Sequence, residues 1–413
     1  MTASEGTLKG TGTLKGTGRR ALVVVIDACG VGALPDAARY GDEGTNTLAH
    51  LARALGGLQL PTLQRLGLGS IVEVEGVAPA RDPAIHGRLA PLGPGKDSIM
   101  GHWELMGVVT QCELPTYPEG FPPPLIARLE AAMGRALICN RPYNGIAAID
   151  EFGAEHLRTG ALIVYTSQDS VLQLAAHVER VPESELYAAC AAARALMRDE
   201  DGVGRVIARP FAGAEGAFER THGRRDFTLT PPARSYLQEL VDAGAQVHAV
   251  GKIADVFAGV GISRSYPGAT NATALQSTER LLEALDEGFV FVNLIETDQR
   301  FGHRKDLAGF AGALSEIDAA LARWLGRLRS GDLLVVTADH GVDPLQQGSD
   351  HTREYAPLLA LTGEMAQRLS SGGRLAGRRH DGPLCDVGAS VMRWLTGRDA
   401  QGLPGESFLG EHS

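Results

Sequence analysis

The sequence is poor in cysteine and in aromatic residues, and it contains no long apolar run. Its five cysteines are scattered over 413 residues without a C-x-x-C pair. A disulfide framework would need an even, paired set, so we interpret the five as reduced thiols of a cytoplasmic protein. No apolar segment reaches the roughly 18–20 residues that a membrane span requires. The sequence therefore predicts neither a membrane protein nor a disulfide-stabilised secreted one.

A basic excess is also missing. The chain has 39 Lys and Arg against 49 Asp and Glu, which gives a net charge of -10. Nucleic-acid-binding domains usually carry a basic excess, so we expect no nucleic-acid partner. The apolar fraction of 44% and the charged fraction of 21% are typical of folded domains. At roughly 100–200 residues per domain, the length predicts two or three domains.

The N-terminus begins with a repeat, TLKGTG at 7–12 and again at 13–18. This Gly/Thr/Lys-rich stretch has no apolar face, which predicts a disordered tail over residues 1–20. The run ALVVVID follows at 21–27. It is too short for the core of a signal peptide. Because its apolar residues are continuous, it is typical of a strand buried on both faces of a parallel sheet.

Similar aliphatic runs recur at 246–250, 288–297, 332–337 and 355–361. Between 310 and 329 the apolar residues have helical spacing, and Gly331 marks the expected end of that helix. Strand, helix and strand in this order predict an α/β core with a mainly parallel sheet flanked by helices. Residues 114–226 differ, with Pro-rich turns, helices near 123–133 and 184–198, and strands at 161–166 and 204–209. We predict an α+β domain inserted into a core formed by 21–113 and 227–413.

Acidic residues and histidines follow the ends of three predicted strands. The carboxyl ends of strands in an open parallel sheet form its ligand-binding edge, so these side chains should meet there. Mixed Asp and His ligands suit ions such as Mn²⁺ or Zn²⁺, and six ligands suit two ions. A pair of ions is typical of phosphoryl-transfer enzymes. The six predicted ligands are Asp27, Asp298, His303, Asp339, His340 and His351.

A nucleophile is offered by the segment GKDSIMGHWE at 95–104. Its glycine-containing loop opens into an apolar segment, which places Ser98 near a predicted helix N-terminus, where phosphate binds well. A metal ion beside the hydroxyl would lower its pKa and activate it. We therefore predict Ser98 as the nucleophile.

Several ordered motifs resemble those of the phosphopentomutase family of the alkaline phosphatase superfamily. They include DACGVGALPD at 27–36, GKDS at 95–98, GHWE at 101–104 and DHTREY at 350–355, within a similarity from about 21 to 410. The resemblance implies an alkaline-phosphatase-like core with a cap domain. It also implies an isomerase that interconverts ribose or deoxyribose 1-phosphate and 5-phosphate in nucleoside catabolism.

The resemblance further implies roles for individual residues. Asp298, His303 and His351 would hold one Mn²⁺, while Asp27, Asp339 and His340 would hold the other beside a phosphorylated Ser98. A sugar bisphosphate, ribose 1,5- or glucose 1,6-bisphosphate, would act as activator. The guanidinium group of arginine can bind a phosphate through two parallel hydrogen bonds, and hydroxyl or carboxylate groups can hydrogen-bond to sugar hydroxyls. The implied phosphosugar contacts are Ser167, Asp169, Arg205, Arg220 and Lys252.

Three positions depart from the family pattern, namely Met100, the stretch Asn144–Ile146 and Val342. None of them removes a predicted ligand. Two alternatives remain open at the level of sequence. A metal-dependent phosphatase or related hydrolase on the same fold would release inorganic phosphate steadily, and a non-catalytic phosphosugar-binding protein would bind without turnover.

Overall fold

The computed structural model describes residues 18–167, 169–375 and 377–410. The TLKGTG repeat lies outside the described residues except for its last glycine, Gly18. Arg20, which the sequence interpretation places in the tail, begins the first strand. Among the described residues, no helix combines the length and apolar character needed to cross a bilayer.

Fourteen strands lie in the described part of the chain. In chain order they are β1 (Arg20–Ile26), β2 (Ile85–Ala90), β3 (Leu137–Pro142), β4 (Leu162–Thr166), β5 (Val171–His177), β6 (Arg205–Ala212), β7 (Glu219–Arg220), β8 (Arg225–Thr228), β9 (Val247–Val250), β10 (Arg264–Tyr266), β11 (Gly288–Leu294), β12 (Asp332–Thr337), β13 (Ala356–Thr362) and β14 (Gly382–Pro383).

Twelve α-helices connect the strands in the same described ranges, together with short 3-10 turns and one π-helical turn at Thr297–Gly302. The helices are α1 (Thr47–Leu55), α2 (Pro61–Leu66), α3 (Ser98–Leu105), α4 (Pro123–Met133), α5 (Gly145–Thr159), α6 (Glu183–Leu196), α7 (Tyr236–Asp242), α8 (Ile253–Val256), α9 (Asn271–Ala284), α10 (Leu307–Leu325), α11 (Gly363–Ser370) and α12 (Asp386–Thr396).

The chain forms two compact units. The first comprises residues up to Gln111, Pro231–Ala254 and Gly259 onward. Its eight-stranded sheet has the order β10-β9-β11-β1-β12-β13-β2-β14, and only β13 runs against the other strands. Every residue of β1, β11 and β12 is buried, as expected for strands covered on both faces. The predicted α/β core with a mainly parallel sheet flanked by helices is confirmed.

The second unit comprises Cys112–Thr230 and Asp255–Ala258. Its mixed sheet has the order β3-β4-β5-β6-β7, with β8 also paired to β6. One face, which includes Leu162, Val164 and Leu172, packs on α4 and α6. The other face packs on α5 through Tyr165 and Phe211. This unit contains both helices and strands, so it is an α+β structure.

Two expectations about element ends are wrong. Helix α10 ends at Leu325 with Gly326 as its C-cap, so Gly331 does not end it. Apolar residues continue at helical spacing to the buried Leu328, but the backbone forms turns there. In these turns the Arg327 amide donates to the Trp324 carbonyl, and the Asp332 amide donates to the Arg329 carbonyl. Strand β11 ends at Leu294 instead of reaching 297, because the chain turns into the π-helical segment.

A buried ion pair joins the starts of β1 and β12. The Arg20 guanidinium donates to both carboxylate oxygens of Asp332, at 2.7 and 2.5 Å, and also to the Leu282 carbonyl at 2.6 Å. Both charged side chains are almost fully buried. Removing one partner would leave the other charge in the interior without compensation.

We therefore expect Asp332→Ala to lower the free energy of unfolding of the first unit by about 3–5 kcal/mol. Urea unfolding followed by tryptophan fluorescence measures this unit, because all three tryptophans, at 103, 324 and 394, belong to it. Asp286→Ala is the matched control, since Asp286 is 98% exposed and pairs with Arg329 at the surface. Equal unfolding midpoints for the two variants would contradict the role of the buried pair.

Candidate metal centre and active site

Three neighbouring strands deliver the candidate ligands to one edge of the first unit. Strands β11, β1 and β12 lie side by side and parallel, so their carboxyl ends meet. Asp27 directly follows β1, and Asp339 follows β12 by two residues. Asp298 comes from the π-helical turn after β11. Such turns are rare and occur often at functional sites.

The first cluster contains Asp27, Asp339 and His340, whose ligand atoms all lie within 4.8 Å of one another. The Nε2 atom of His340 is 3.3 Å from Asp27 Oδ1 and 3.4 Å from Asp339 Oδ2. The Ser98 hydroxyl oxygen is 2.9 Å from the same nitrogen and 3.4 Å from Asp27 Oδ1. The structure thus brings the predicted nucleophile to this ligand set.

The second cluster contains Asp298, His303 and His351. Asp298 Oδ1 is 3.3 Å from the Nε2 atoms of both histidines, which are 3.2 Å from each other. The rings of His340 and His351 have their centroids 3.9 Å apart, so the two clusters adjoin. All six predicted ligands therefore lie in one continuous site within the first unit.

Electrostatic interactions within this site are strong. Burial acts to raise the pKa of Asp298, but His351 and His303 outweigh it and hold the pKa well below its ordinary value. For Asp339 burial is likewise outweighed, chiefly by His340, and the pKa is about 2. Burial and the nearby Asp339 raise the pKa of Asp27. The site therefore concentrates negative charge that needs a positive partner.

Two carboxylate oxygens show that the residues fit metal ions. Asp298 Oδ1 and Asp339 Oδ2 are buried and form no well-directed hydrogen bond among the described residues, although histidine nitrogens lie 3.1–3.4 Å from them. An unpaired buried carboxylate oxygen is costly, and a bound cation would satisfy it. Carboxylate and imidazole donors together suit borderline divalent ions. The described residues that could hold an ion form two groups, one of Asp27, Asp339 and His340 and one of Asp298, His340 and His351, so the residues present fit divalent metal ions.

Ser98 is the first residue of α3, as the sequence predicts. The side chain of Asp97 caps this helix and accepts hydrogen bonds from the Ile99 and Met100 amides at 3.0 and 3.1 Å. The cap fixes the first turn of α3 and, with it, the direction of the serine side chain. Local sequence thus determines how the hydroxyl is presented to the first cluster.

The three departures from the family pattern have local packing roles. Met100 is buried, and a Cβ on Gly95 would lie 2.4 Å from its sulfur. Val342 is buried against Gly302, next to His303. The Asn144 side chain caps α5 by accepting from the Ile146 and Ala147 amides. None of these positions is one of the six candidate ligands.

Four of the predicted phosphosugar contacts lie in the second unit, and Lys252 lies in the first. Ser167 Oγ accepts from the Asp169 amide at 3.3 Å, and Asp169 is 3.7 Å from Arg205. Arg220 donates to the Tyr165 hydroxyl at 3.5 Å. The structure brings Ser167, Asp169 and Arg205 together and places Arg220 beside Tyr165.

Arg209, which the sequence analysis does not single out, shares a face of β6 with Arg205. Its Nε donates to Gln173 Oε1 at 3.1 Å. Burial, followed by the charge of Arg224, lowers the pKa of Arg209 to about 10. The sequence alone predicts that Arg205 and Arg209 share a face of the strand, because residues four apart in a strand point to the same side.

The fold and the site together define a metal-dependent enzyme. The sequence model of the metalloenzyme superfamily matches residues 19–397, so the chain belongs to that superfamily. More specific relatives carry the name phosphopentomutase. One, from Caldanaerobacter subterraneus subsp. tengcongensis, is 46% identical over 374 residues, or 90% of this chain and 93% of that protein. Another, from Anaeromyxobacter sp. (strain K), is 47% identical over 395 residues, or 95% of this chain and 99% of that protein.

This chain therefore belongs to the phosphopentomutase family, and the resemblance predicted from its motifs is confirmed. A solved structure of Leishmania mexicana phosphoglycerate mutase matches 94% of this chain and 97% of that chain, with 14% identity and a TM-score of 0.47. A Vibrio parahaemolyticus protein of the alkaline phosphatase superfamily matches 95% of this chain and 69% of that chain, with 12% identity and a TM-score of 0.39.

Asp339→Asn tests the candidate metal centre. An amide is a poorer ligand than a carboxylate, so we expect the affinity for divalent metal ions to fall about tenfold or more, with a matching loss of activity. Metal content after gel filtration, measured by mass spectrometry, gives the first readout. Asp82→Asn is the control, because Asp82 pairs with the exposed Arg374. Full metal content and activity in Asp339→Asn would contradict the site.

Proposed function

We propose that this protein interconverts the 1-phosphate and 5-phosphate of ribose or deoxyribose through a phosphorylated Ser98 and a sugar bisphosphate. One observation carries the proposal. The Ser98 hydroxyl lies 2.9 Å from His340 Nε2 and 3.4 Å from Asp27 Oδ1, in a chain of the phosphopentomutase family. The protein is accordingly an isomerase, and we place it in the cytoplasm in nucleoside catabolism.

We assign Mn²⁺ to both clusters, with Asp298, His303 and His351 as one ligand set and Asp27, Asp339 and His340 as the other. When bound, such ions cancel the charge of a phosphate ester and lower the pKa of a nearby hydroxyl. The chain's own contribution is geometric. Ser98 is held by the capped turn of α3, and the ligands are held at the ends of buried strands. Rigid placement of this kind favours in-line transfer.

The reaction needs two phosphoryl transfers. In the first, the bond between phosphorus and Ser98 Oγ breaks, and a bond forms to the free hydroxyl oxygen of the pentose monophosphate. That hydroxyl loses its proton, and the released Ser98 Oγ takes one up. The product is a pentose bisphosphate and an unmodified serine. In the second, Ser98 Oγ loses its proton and forms a bond to the other phosphorus of the reoriented bisphosphate. The bond from that phosphorus to the sugar oxygen breaks, and the oxygen takes up a proton and leaves as the hydroxyl of the isomeric monophosphate. This step regenerates the phosphorylated enzyme, so a sugar bisphosphate such as ribose 1,5- or glucose 1,6-bisphosphate can act as activator.

We propose that Ser167, Asp169, Arg205, Arg220 and Lys252 hold the phosphosugar. Arginine binds a phosphate with two parallel hydrogen bonds, and Ser and Asp suit sugar hydroxyls. Arg205 is 3.7 Å from Asp169 and 4.0 Å from Asp226, so neither contact is a tight ion pair. Its guanidinium can therefore exchange these contacts for a phosphate at little cost.

The decisive assay supplies α-ribose 1-phosphate and Mn²⁺ to the purified protein with a trace of sugar bisphosphate. We expect ribose 5-phosphate to accumulate with little inorganic phosphate. Steady release of phosphate would instead indicate a phosphatase, and binding without turnover would indicate a phosphosugar-binding protein. Either of these results would overturn the proposal.

Ser98→Ala removes the hydroxyl that accepts the phosphoryl group. We expect loss of interconversion with metal content near that of the parent, since Ser98 is not among the six ligands. Ser98→Thr is the matched variant, because it keeps a hydroxyl at the same atom. Intact mass should show a phosphoryl group on the parent and on the Thr variant, and none on the Ala variant. Substantial turnover by Ser98→Ala would remove Ser98 from this role.

Arg205→Ala tests the proposed phosphosugar contacts. A lost hydrogen bond to a charged group is worth about 1.5–3 kcal/mol, so we expect KM to rise by roughly 10–100-fold. Arg128→Ala is the control, because Arg128 also belongs to the second unit but pairs with Asp201 at the surface. Steady-state kinetics with ribose 1-phosphate give the measurement. An unchanged KM in Arg205→Ala would contradict the contact.

A further inference from the structure

The segment GHWE at 101–104 contributes no metal ligand, nucleophile or phosphosugar contact to the proposed reaction. It lies in α3, which is packed closely against the loop that follows β12. A Cβ on Gly101 would come within 2.4 Å of the Asp339 carbonyl oxygen, so glycine is required there. Glu104 accepts hydrogen bonds from the Leu92 and Gly93 amides and ties the helix to its other side. This close approach brings the next residue, His102, to the metal centre.

His102 is fully buried and contacts both the nucleophile segment and a ligand. Its Nδ1 is 2.7 Å from the Ser98 carbonyl oxygen and 3.1 Å from Asp339 Oδ2. A carbonyl oxygen only accepts, so Nδ1 carries a hydrogen and donates. The same ring nitrogen therefore donates to the first turn of α3 and lies in contact with Asp339.

Asn293, in β11, completes the connection on the other side of the ring. Its Nδ2 donates to Asp27 Oδ2 at 2.8 Å and lies 3.2 Å from His102 Nε2. Because a carboxylate only accepts, the amide nitrogen must face Asp27, and in the neutral ring with the hydrogen on Nδ1 its second hydrogen has Nε2 as acceptor. The contacts run from Asp27 through Asn293 and His102 to Asp339 and Ser98.

We propose that His102 and Asn293 are positioning residues that hold Asp27, Asp339 and the Ser98 turn in one fixed arrangement. This inference rests on the proposed roles of Ser98 and the two carboxylates. Hydrogen-bond partners of metal ligands typically contribute 10–100-fold in metal affinity or activity. The two side chains suit this role because together they connect α3 to the residues that follow β1 and β12, with Asn293 contacting Asp27 and His102 contacting Asp339.

The test compares His102→Leu with His102→Asn in the full-length, Mn²⁺-loaded protein. The Asn amide nitrogen can occupy the place of Nδ1 and keep its donor, whereas Leu keeps only apolar volume. Chelator competition measures Mn²⁺ affinity without substrate, and steady-state kinetics measure kcat and KM. We expect His102→Leu to weaken Mn²⁺ binding and lower kcat by about 10–100-fold with KM nearly unchanged. His102→Asn should recover most of both losses.

His156→Leu is the matched control. His156 is also a fully buried histidine with both ring nitrogens bonded, to the Ala161 carbonyl at 2.6 Å and the His177 amide at 2.9 Å, but it lies in the second unit. It should lower Tm and leave Mn²⁺ affinity at the parental value. Parental Mn²⁺ affinity and kcat in His102→Leu would overturn the proposal, and so would equal losses in the Leu and Asn variants.

If His102→Leu does not fold, Asn293→Ala tests the positioning role instead. It removes the donor to Asp27 with a small change of volume, so weaker Mn²⁺ binding is expected, and parental affinity would overturn the proposal. The metal readout also separates the two inferences. If the parent shows no interconversion but the variants still weaken Mn²⁺ binding, the positioning role stands and the proposed function fails.

Discussion

Three buried carboxylates at one edge of a parallel sheet are the constraint around which the first unit is arranged. Asp27, Asp298 and Asp339 come from the ends of adjacent strands, and each is at least 96% buried. Like charges in a low-dielectric interior repel strongly, so the arrangement needs positive charge close by. Histidine nitrogens lie 3.3–3.4 Å from these carboxylates, and the buried oxygens of Asp298 and Asp339 that form no well-directed hydrogen bond indicate where cations fit.

The loops that carry these ligands are held together by one further buried acid. Glu354, in the DHTREY segment, accepts hydrogen bonds from the Gly32 amide, the Thr47 amide and the Thr352 hydroxyl. A Cβ on Gly30 or on Gly341 would lie within 2.6 Å of its side-chain atoms. The loops after β1 and β12 therefore share one partner. The precision of the ligand geometry comes from this packing and not from the ligands alone.

Much of the fold was predictable because it depends on local patterns. Continuous aliphatic runs identify β1, β9, β12 and β13 to within a residue or so, since both faces of those strands are covered. The end of α10 was not predictable, because apolar spacing persists to Leu328 after the helix stops. The π-helical turn that carries Asp298 has no sequence signal of its own, since one extra residue per turn depends on surrounding contacts.

The sequence by itself determined the residue types of the candidate site and their positions at strand ends. It could do so because metal and phosphate chemistry restricts the ligands to Asp, His and Ser, and because strand ends are visible in the apolar pattern. Tertiary structure alone decided the strand order that makes β11, β1 and β12 neighbours. It also decided the approach of α3 that sets Ser98 beside His340 and His102 beside Asp339. Those contacts join residues more than 200 positions apart, and only packing of the whole unit brings them together.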